Sequence, residues 1–225
     1  MKIIKYFFEY LFIQTLLILF KIIGYENASN FGEIVGKTLG PLFRKTERIL
    51  KNIERANITL SINDKKLIIK NMWGNYGRIL SEYPYMKKFK SNDFNKYIQI
   101  EGKEYLEEIK KNKKRVVFVS GHFNNFELMA MQIENAGIEL AAIYRPLNNI
   151  FLNKIMEKIR KDYICKKQIK KGRSGTRQIL ECLKNGTSIA LMIDQRVREG
   201  TKINFFGNLA TTTTIPSQLI KKYKC

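Results

Sequence analysis

The hydrophobic pattern separates an N-terminal apolar run from a longer, mixed part of the chain. The run from Ile3 to Ile23 is interrupted only by scattered polar residues, including Lys5, Glu9 and Lys21. It is about as long as the roughly 20 residues that cross a bilayer. No small-residue cleavage motif follows it, which disfavours a cleaved signal peptide. Residues 1–24 are therefore predicted to be an uncleaved membrane anchor or an embedded interfacial helix, with a buried core helix as the alternative.

Two amphipathic segments follow this run. Apolar residues recur at helical spacing over residues 30–55, with a predicted break at Gly40-Pro41, and again over residues 64–82. A short, highly charged helix is predicted over residues 103–111. The first of these segments, residues 30–55, is predicted to pack on the body of the protein or on a membrane surface.

From Val116 onward, short apolar runs alternate with helical patterns. Strands are predicted at residues 116–119, 138–143, 188–193 and 202–206. Helices are predicted at residues 124–136, 148–162, 173–184 and 216–224. This alternation predicts an α/β fold with a mixed, mostly parallel sheet flanked by helices. We treat residues 25–225 as one domain, since no interdomain linker separates them.

The only histidine lies just beyond one predicted strand, and an acid lies just beyond another. His122 follows the strand at 116–119, and Asp194 follows the strand at 188–193. Active sites of parallel α/β sheets collect beyond the carboxyl ends of the strands. An imidazole titrates near neutral pH, so His122 is a candidate general base for activating a hydroxyl.

Glu127 is a candidate partner for this histidine. A spacing of five residues points two side chains about 140° apart on an ideal helix. His122 and Glu127 therefore pair only if the histidine lies in a loop and the acid in the first helical turn. Asn124 or Asn125 as helix N-cap satisfies that condition. The alternative is a capping box from Asn124 to Glu127, which has no catalytic duty.

The charge of the chain is extreme. Lys and Arg total 41 against 20 acids, giving a formal net charge of +21. Such a field attracts polyanions, namely nucleic acids, anionic lipid head groups or acidic carrier proteins. The alternative is compositional drift in an AT-rich genome. A hydrophobic fraction of 44% excludes a disordered chain.

The three cysteines predict neither disulfides nor a metal site. Cys165, Cys182 and Cys225 are widely spaced, odd in number and without a CxxC pair. This usage is typical of a reducing compartment. With a single histidine in the chain, no metal or other cofactor is expected.

Several motifs follow one another along the chain. They are G-H-F-x-x-x-E at residues 121–127, Y-R-P-x-x-N at residues 144–149, Arg160, Asp194-Gln195, and F-F-G followed by A-x-T-T at residues 205–213. In this order they resemble the motifs of the late lipid A acyltransferases, the lauroyl and myristoyl transferases of Gram-negative bacteria. The N-terminal apolar helix also fits this family. The resemblance covers essentially the whole chain, and the ordered set is more specific than any one motif.

The resemblance implies a glycerolipid-acyltransferase-like fold on the cytoplasmic face of the bacterial inner membrane. The donor would be acyl carrier protein, and the acceptor an anionic glycolipid, a phosphorylated lipid A precursor of the Kdo-lipid IVA type. Family members usually continue several tens of residues beyond this chain, which implies a domain incomplete at its C-terminus.

The resemblance also implies roles for individual residues. His122 would be the base and Glu127 its orienting partner. Arg160, or backbone amides near Asn124 and Asn125, would stabilise the oxyanion, with Asp194 nearby. Alternatively, Asp194 closes a turn or pairs with a neighbouring arginine. Arg145 is the candidate phosphate contact, with a loop-stabilising ion pair as its alternative.

Other functions remain open at this point. The same chemistry on a glycerophospholipid or another glycolipid is the nearest alternative, although that group typically has Asp where this chain has Glu127. A basic nucleic-acid-binding protein would fit the charge, but the chain has no recognised nucleic-acid-binding signature. We therefore expect no nucleic acid as a partner. A non-catalytic, membrane-associated remnant is a further alternative.

Overall fold

The computed structural model describes residues 2–56, 59–91 and 93–225. Met1, the first residue of the expected anchor, lies outside the described residues. The α-helices are α1 (Lys2–Ile23), α2 (Tyr25–Phe43), α3 (Thr46–Arg55), α4 (Ile62–Glu82), α5 (Met86–Lys90), α6 (Lys103–Lys111), α7 (Glu127–Asn135), α8 (Ile150–Ile159), α9 (Arg173–Lys184) and α10 (Ile215–Tyr223). A π-helical turn over Arg160–Ile164 extends α8, and short 3₁₀ turns lie at Tyr83–Tyr85 and Asn95–Tyr97.

The strands form one four-stranded sheet and one hairpin. They are β1 (Val117–Ser120), β2 (Leu140–Tyr144), β3 (Lys167–Lys170), β4 (Ser188–Met192), β5 (Thr201–Phe205) and β6 (Asn208–Thr212). The sheet has the order β1-β4-β2-β3, and each neighbouring pair is parallel. Strands β5 and β6 pair antiparallel. The predicted α/β class, with helices flanking a mostly parallel sheet and an apolar N-terminal helix, is confirmed.

The helical connections explain why the sheet is parallel. Helix α7 joins β1 to β2, α8 with its π-helical turn joins β2 to β3, and α9 joins β3 to β4. Each crossover returns the chain to the same edge, so all four strands run in one direction. Their carboxyl ends therefore form a common edge of the sheet.

One face of this sheet packs against α9 and α10. Helix α9 presents Ile179 and Leu183 four residues apart on one side, as an amphipathic helix does. Their neighbours in the buried cluster are Ala141, Ile169, Ile189, Leu191 and Leu219. This apolar layer holds β4 against its neighbours and so fixes the edge that carries His122 and Asp194.

Strand β3 was not predicted, because its sequence Lys-Gln-Ile-Lys contains a single apolar residue. Ile169 supplies the buried contact, while both lysines are exposed. An edge strand needs only one buried face, so a four-residue strand leaves little hydrophobic pattern to detect.

The predicted break at Gly40-Pro41 is wrong. Helix α2 continues to Phe43 and ends where Arg44 becomes extended. The glycine serves close packing instead, since a Cβ on Gly40 would lie 2.4 Å from the Trp73 ring of α4. Gly36 likewise packs against Gly77 of α4. Pro41 lies in the last turn of α2, where it removes only one of the final helical hydrogen bonds.

The chain divides into two compact units. The first contains the residues up to Leu11, Met86–Gln195 and Thr213–Cys225, and it holds the four-stranded sheet. The second contains Phe12–Tyr85 and Arg196–Thr212, with α2, α4 and the β5–β6 hairpin. Both His122 and Asp194 belong to the first unit, so their geometry is internal to it.

Helix α1 is long and apolar enough to cross a membrane, judged by length and composition alone. It has 22 residues, and its most apolar window has a mean hydropathy of 1.7 with only 6% of that window buried. No other helix in the described residues meets these criteria. Most of its apolar surface is thus left uncovered by the protein.

We expect Leu183→Ala to lower the free energy of unfolding by about 2–5 kcal/mol, because it empties a fully buried site in the sheet core. Urea unfolding in detergent solution measures this. Ile220→Ala on α10, where the side chain is 44% exposed, is the control and should change stability by less than about 1 kcal/mol. Equal effects of the two substitutions would contradict this assignment of the core.

Candidate active site

The register between β1 and β4 brings His122 and Asp194 together. Ser120 pairs with Met192 at the carboxyl ends of the two parallel strands. His122 and Asp194 each follow two residues later. The Nδ1 atom of His122 lies 2.8 Å from Oδ1 of Asp194, and the backbone N–H of His122 donates to Oδ2 at 2.8 Å. One carboxylate therefore holds both the backbone and the ring of the histidine.

A tight turn aims the imidazole. The backbone N–H of Phe123 donates to the carbonyl of Gly121 at 2.9 Å, and Asn124 has a left-handed φ of 40°. A Cβ on Gly121 would lie 2.7 Å from the exposed Phe123 ring, so any larger residue there would displace that ring. The Phe126 ring meets the His122 ring edge-on, with centroids 4.7 Å apart. The imidazole is thus fixed on two sides.

The electrostatics of the pair favour a proton-accepting imidazole. Burial alone would raise the pKa of Asp194. The hydrogen bonds from the backbone and ring of His122, together with the electrostatic attraction of His122, have the larger effect and lower that pKa overall. Asp194 is therefore ionised at neutral pH. A carboxylate at Nδ1 favours the tautomer with the proton on that atom, which leaves Nε2 as the acceptor.

Glu127 pairs with Arg160. Its Oε1 accepts from Nε of Arg160 at 2.9 Å and from a terminal guanidinium nitrogen at 2.5 Å. The two side chains are only 8% and 13% exposed. Asp194, and not the expected Glu127, is the carboxylate at Nδ1 of His122. The capping-box interpretation is wrong, because α7 begins at Glu127 with Phe126 as N-cap and has no side-chain cap.

A second set of polar contacts surrounds Arg160. Its guanidinium lies 5.8 Å from the centre of the Tyr144 ring. The Tyr144 hydroxyl donates to Glu157, which also accepts from Asn153 at 2.9 Å and pairs with Lys170 at 3.1 Å. Tyr144 ends β2, so these contacts tie the carboxyl edge of the sheet to α8.

The pKa values in this set follow from burial and hydrogen bonding. Burial and the bond to Glu157 raise the pKa of Tyr144, which keeps the hydroxyl protonated. The hydrogen bond from Tyr144, opposed by burial and aided by Asn153 and Lys170, lowers the pKa of Glu157 to about 2. Glu157 and Asn153 were not predicted, although their four-residue spacing within the predicted helix 148–162 is a detectable signal.

The family model for bacterial lipid A biosynthesis acyltransferase matches residues 1–225. The chain belongs to the bacterial lipid A biosynthesis acyltransferase family. A curated relative, lipid A biosynthesis acyltransferase 2 of Shigella flexneri, is 24% identical over 136 residues. That match covers 57% of this chain and 41% of the relative, so the chain spans less than half of the relative's length in the match.

In this member of the lipid A biosynthesis acyltransferase family, Arg145 is separate from both pairs. It directly follows β2, its side chain is exposed, and it has no hydrogen bond or ion pair within the part of the chain that the structure describes. Across residues 2–56, 59–91 and 93–225, no group of three or more His, Cys, Asp or Glu side chains lies close enough to hold a metal ion.

We expect Glu157→Gln to destabilise this acyltransferase-family protein at pH 7 by about 1–3 kcal/mol. The folded pKa of Glu157 is depressed to about 2. Its ionised form therefore stabilises the fold above the unfolded pKa of about 4.3, and this contribution is lost as the pH falls toward 2. Chemical unfolding of both proteins at pH 7 and pH 3 measures the difference, with the exposed Glu181→Gln of α9 as control. The difference in the free energy of unfolding between the wild-type protein and Glu157→Gln should be smaller at pH 3 than at pH 7. An equal difference at both pH values would contradict the lowered pKa of Glu157.

Proposed function

We propose that this protein transfers a fatty acyl chain from acyl carrier protein to a hydroxyl of a lipid A precursor of the Kdo-lipid IVA type. The observation that carries the proposal is the His122–Asp194 pair, at 2.8 Å, on the carboxyl edge of the sheet in a member of this family. A hydroxyl is a poor nucleophile while protonated, and this pair is built to remove its proton.

The proposed reaction has two steps. In the first, Nε2 of His122 takes the hydroxyl proton as the acceptor oxygen attacks the thioester carbonyl carbon. In the second, the tetrahedral intermediate collapses, the carbon–sulfur bond breaks, and the leaving thiolate takes the proton back from the imidazolium. Asp194 holds the ring in the required tautomer and offsets its positive charge. The products are the acylated lipid and the free thiol of the carrier.

Glu127 has a different role in this proposal from the one the sequence predicted. It holds Arg160, whose positive charge stabilises the developing oxyanion together with backbone amides near Asn124 and Asn125. One carboxylate oxygen of Glu127 accepts from two guanidinium nitrogens of Arg160, and this supports the assignment because two bonds to one oxygen restrict the orientation of the guanidinium. Glu127 is therefore a positioning residue.

The charge and the apolar helix support the proposed partners. A net charge of +21 suits an acidic carrier protein and an anionic acceptor. The exposed Arg145 would contact a phosphate of the acceptor. Residues 1–24 would anchor the chain to the inner membrane, and residues 25–225 would form the acyltransferase domain on its cytoplasmic face. No metal or cofactor takes part in the proposed steps.

The reaction is tested by expressing the protein in an acyltransferase-deficient strain and measuring its lipid A by mass spectrometry. We expect a mass gain equal to one acyl chain. If only glycerophospholipids gained an acyl chain, the acceptor would be a glycerophospholipid and the proposed chemistry would stand. Purified protein that transfers no acyl group from acyl carrier protein to either lipid class would refute the proposal.

Replacing either member of the pair should lower turnover without unfolding the protein. We expect His122→Ala and Asp194→Asn each to reduce kcat by roughly 10²–10⁴-fold, because the proton acceptor or its tautomer is lost. The KM for the donor should change little. Steady-state kinetics and thermal melting distinguish this result from misfolding.

The Glu127→Gln variant separates the two possible partners of His122. We expect it to lower thermal stability, because Arg160 is left buried without its carboxylate. The pH at which kcat falls on the acid side should stay unchanged, since Asp194 still faces the imidazole. If this pH shifted in Glu127→Gln but not in Asp194→Asn, Glu127 would be the acid that orients His122.

A further inference from the structure

Asn149 joins two helices with the two ends of one side chain. As N-cap of α8, its carbonyl oxygen accepts from the backbone N–H groups of Phe151 at 3.1 Å and Leu152 at 3.2 Å. Its amide nitrogen donates to the carbonyl of Tyr6 at 2.8 Å and to Glu9 at 3.1 Å, both in α1. The side chain is buried, so these bonds are sheltered from water.

Aromatic contacts reinforce this joint. The Phe151 ring lies 5.8 Å from the Phe7 ring and 5.9 Å from the Tyr10 ring, measured between centroids. The first turns of α1 are therefore packed against the first turn of α8. Glu9 is an acid inside a mostly apolar helix, and its contacts with Asn149 and Lys5 account for its presence there.

The joint lies beyond the catalytic edge of the sheet. Glu157 and Arg160 contact Tyr144, the last residue of β2. Ile150 begins α8 seven residues before Glu157, which corresponds to about 10 Å of helix. The start of α8 and the segment of α1 attached to it therefore project past the edge that carries His122.

Exposed apolar side chains follow strands β1 and β2 at this same edge. Phe123 is 78% exposed, Leu147 42% and Ile150 52%. On the attached segment of α1, Ile3, Ile4 and Phe8 are also exposed. The exposed Arg145 lies between these apolar residues in the chain, where a cation suits anionic head groups. We call Phe123, Leu147 and Ile150 the edge triplet.

We propose that the catalytic edge faces the bilayer and that the edge triplet lies in the interfacial layer of the membrane. Asn149 with Glu9 holds residues 2–11 of α1 against α8, in the orientation that places the triplet there. This rests on the proposed function, in which the acceptor is a membrane lipid. A bilayer is the occupant that fits, because the start of α8, which carries Ile150, packs on the first turns of α1, whose Ile3, Ile4 and Phe8 are left exposed. The acceptor hydroxyl then meets His122 without leaving the membrane surface.

The orientation is tested with tryptophan variants in vesicles of phosphatidylethanolamine and phosphatidylglycerol. Leu147→Trp and Ile150→Trp probe the edge triplet. Ile220→Trp is the matched control, since Ile220 is 44% exposed and lies one turn before Tyr223, which bonds to Arg115 at the opposite edge of the sheet. The wild-type protein, which has Trp73, gives the baseline. Quenching is measured with lipids brominated on the acyl chain and with aqueous acrylamide.

We expect brominated lipid to quench the two edge probes roughly twofold more strongly than the Ile220→Trp probe, as burial of about 5–10 Å predicts. Equal lipid quenching at all three positions would overturn the proposal, and so would a protein that does not float with the vesicles. Edge probes shielded from both quenchers would also overturn it, because a second copy of the chain would then cover the surface.

The joint is tested with Asn149→Asp in the Leu147→Trp protein. Aspartate caps α8 as well as asparagine does, but it cannot donate to Tyr6 and it repels Glu9. We expect lipid quenching to fall toward the control level and to recover partly in Asn149→Asp/Glu9→Gln. Asn148→Asp, at the exposed neighbouring position, should leave quenching unchanged. Undiminished quenching in Asn149→Asp would refute the role of Asn149.

These readouts do not depend on turnover. Acyl transfer from acyl carrier protein to a detergent-dispersed acceptor is measured separately on the same proteins. Loss of transfer with the expected quenching pattern would count against the proposed reaction alone. Normal transfer with no preference for the edge probes would count against the orientation alone.

Discussion

The carboxylate of Asp194 is the constraint on which the arrangement around His122 depends. Its two oxygens bind the backbone N–H and the ring of the same histidine, so the loop after β1 is fixed by the loop after β4. Neither loop is long enough to reach across on its own. The contact exists because β1 and β4 are parallel neighbours in a register that aligns Ser120 with Met192. The position of the His122 side chain is therefore set by strand pairing, and the buried apolar cluster on one face of the sheet maintains that pairing.

The second set of polar contacts keeps the guanidinium of Arg160 in place where water is largely excluded. Arg160 is held by Glu127 on its edge and by the Tyr144 ring on its face. Tyr144 is in turn held by Glu157, whose charge is shared with Lys170. Each charge has a partner, which is the condition for charged groups to remain at a poorly hydrated site.

The sequence predicted the class of fold because its strongest signals were local. Apolar runs such as Val116–Val119 and the helical period of residues 173–184 need no tertiary information. Strand β3 escaped detection because only Ile169 is buried in it. The carboxylate that contacts the His122 ring was missed for a related reason. Glu127 is close in sequence, whereas Asp194 becomes close only through the strand order β1-β4-β2-β3, which no single-sequence pattern specifies.

The same strand order has a consequence for how the protein is made. Strand β4 lies between β1 and β2, yet it is the last of the four to leave the ribosome. Until it arrives, β1 has no neighbour in the sheet, and its backbone N–H and C=O groups and apolar side chains are left uncovered. The final insertion of β4 closes a long-range contact, a step that is slow relative to local helix formation. A nascent chain therefore carries His122 without its carboxylate partner until residue 194 has been added. The contact between His122 and Asp194 forms in one late event, when the centre of the sheet is completed.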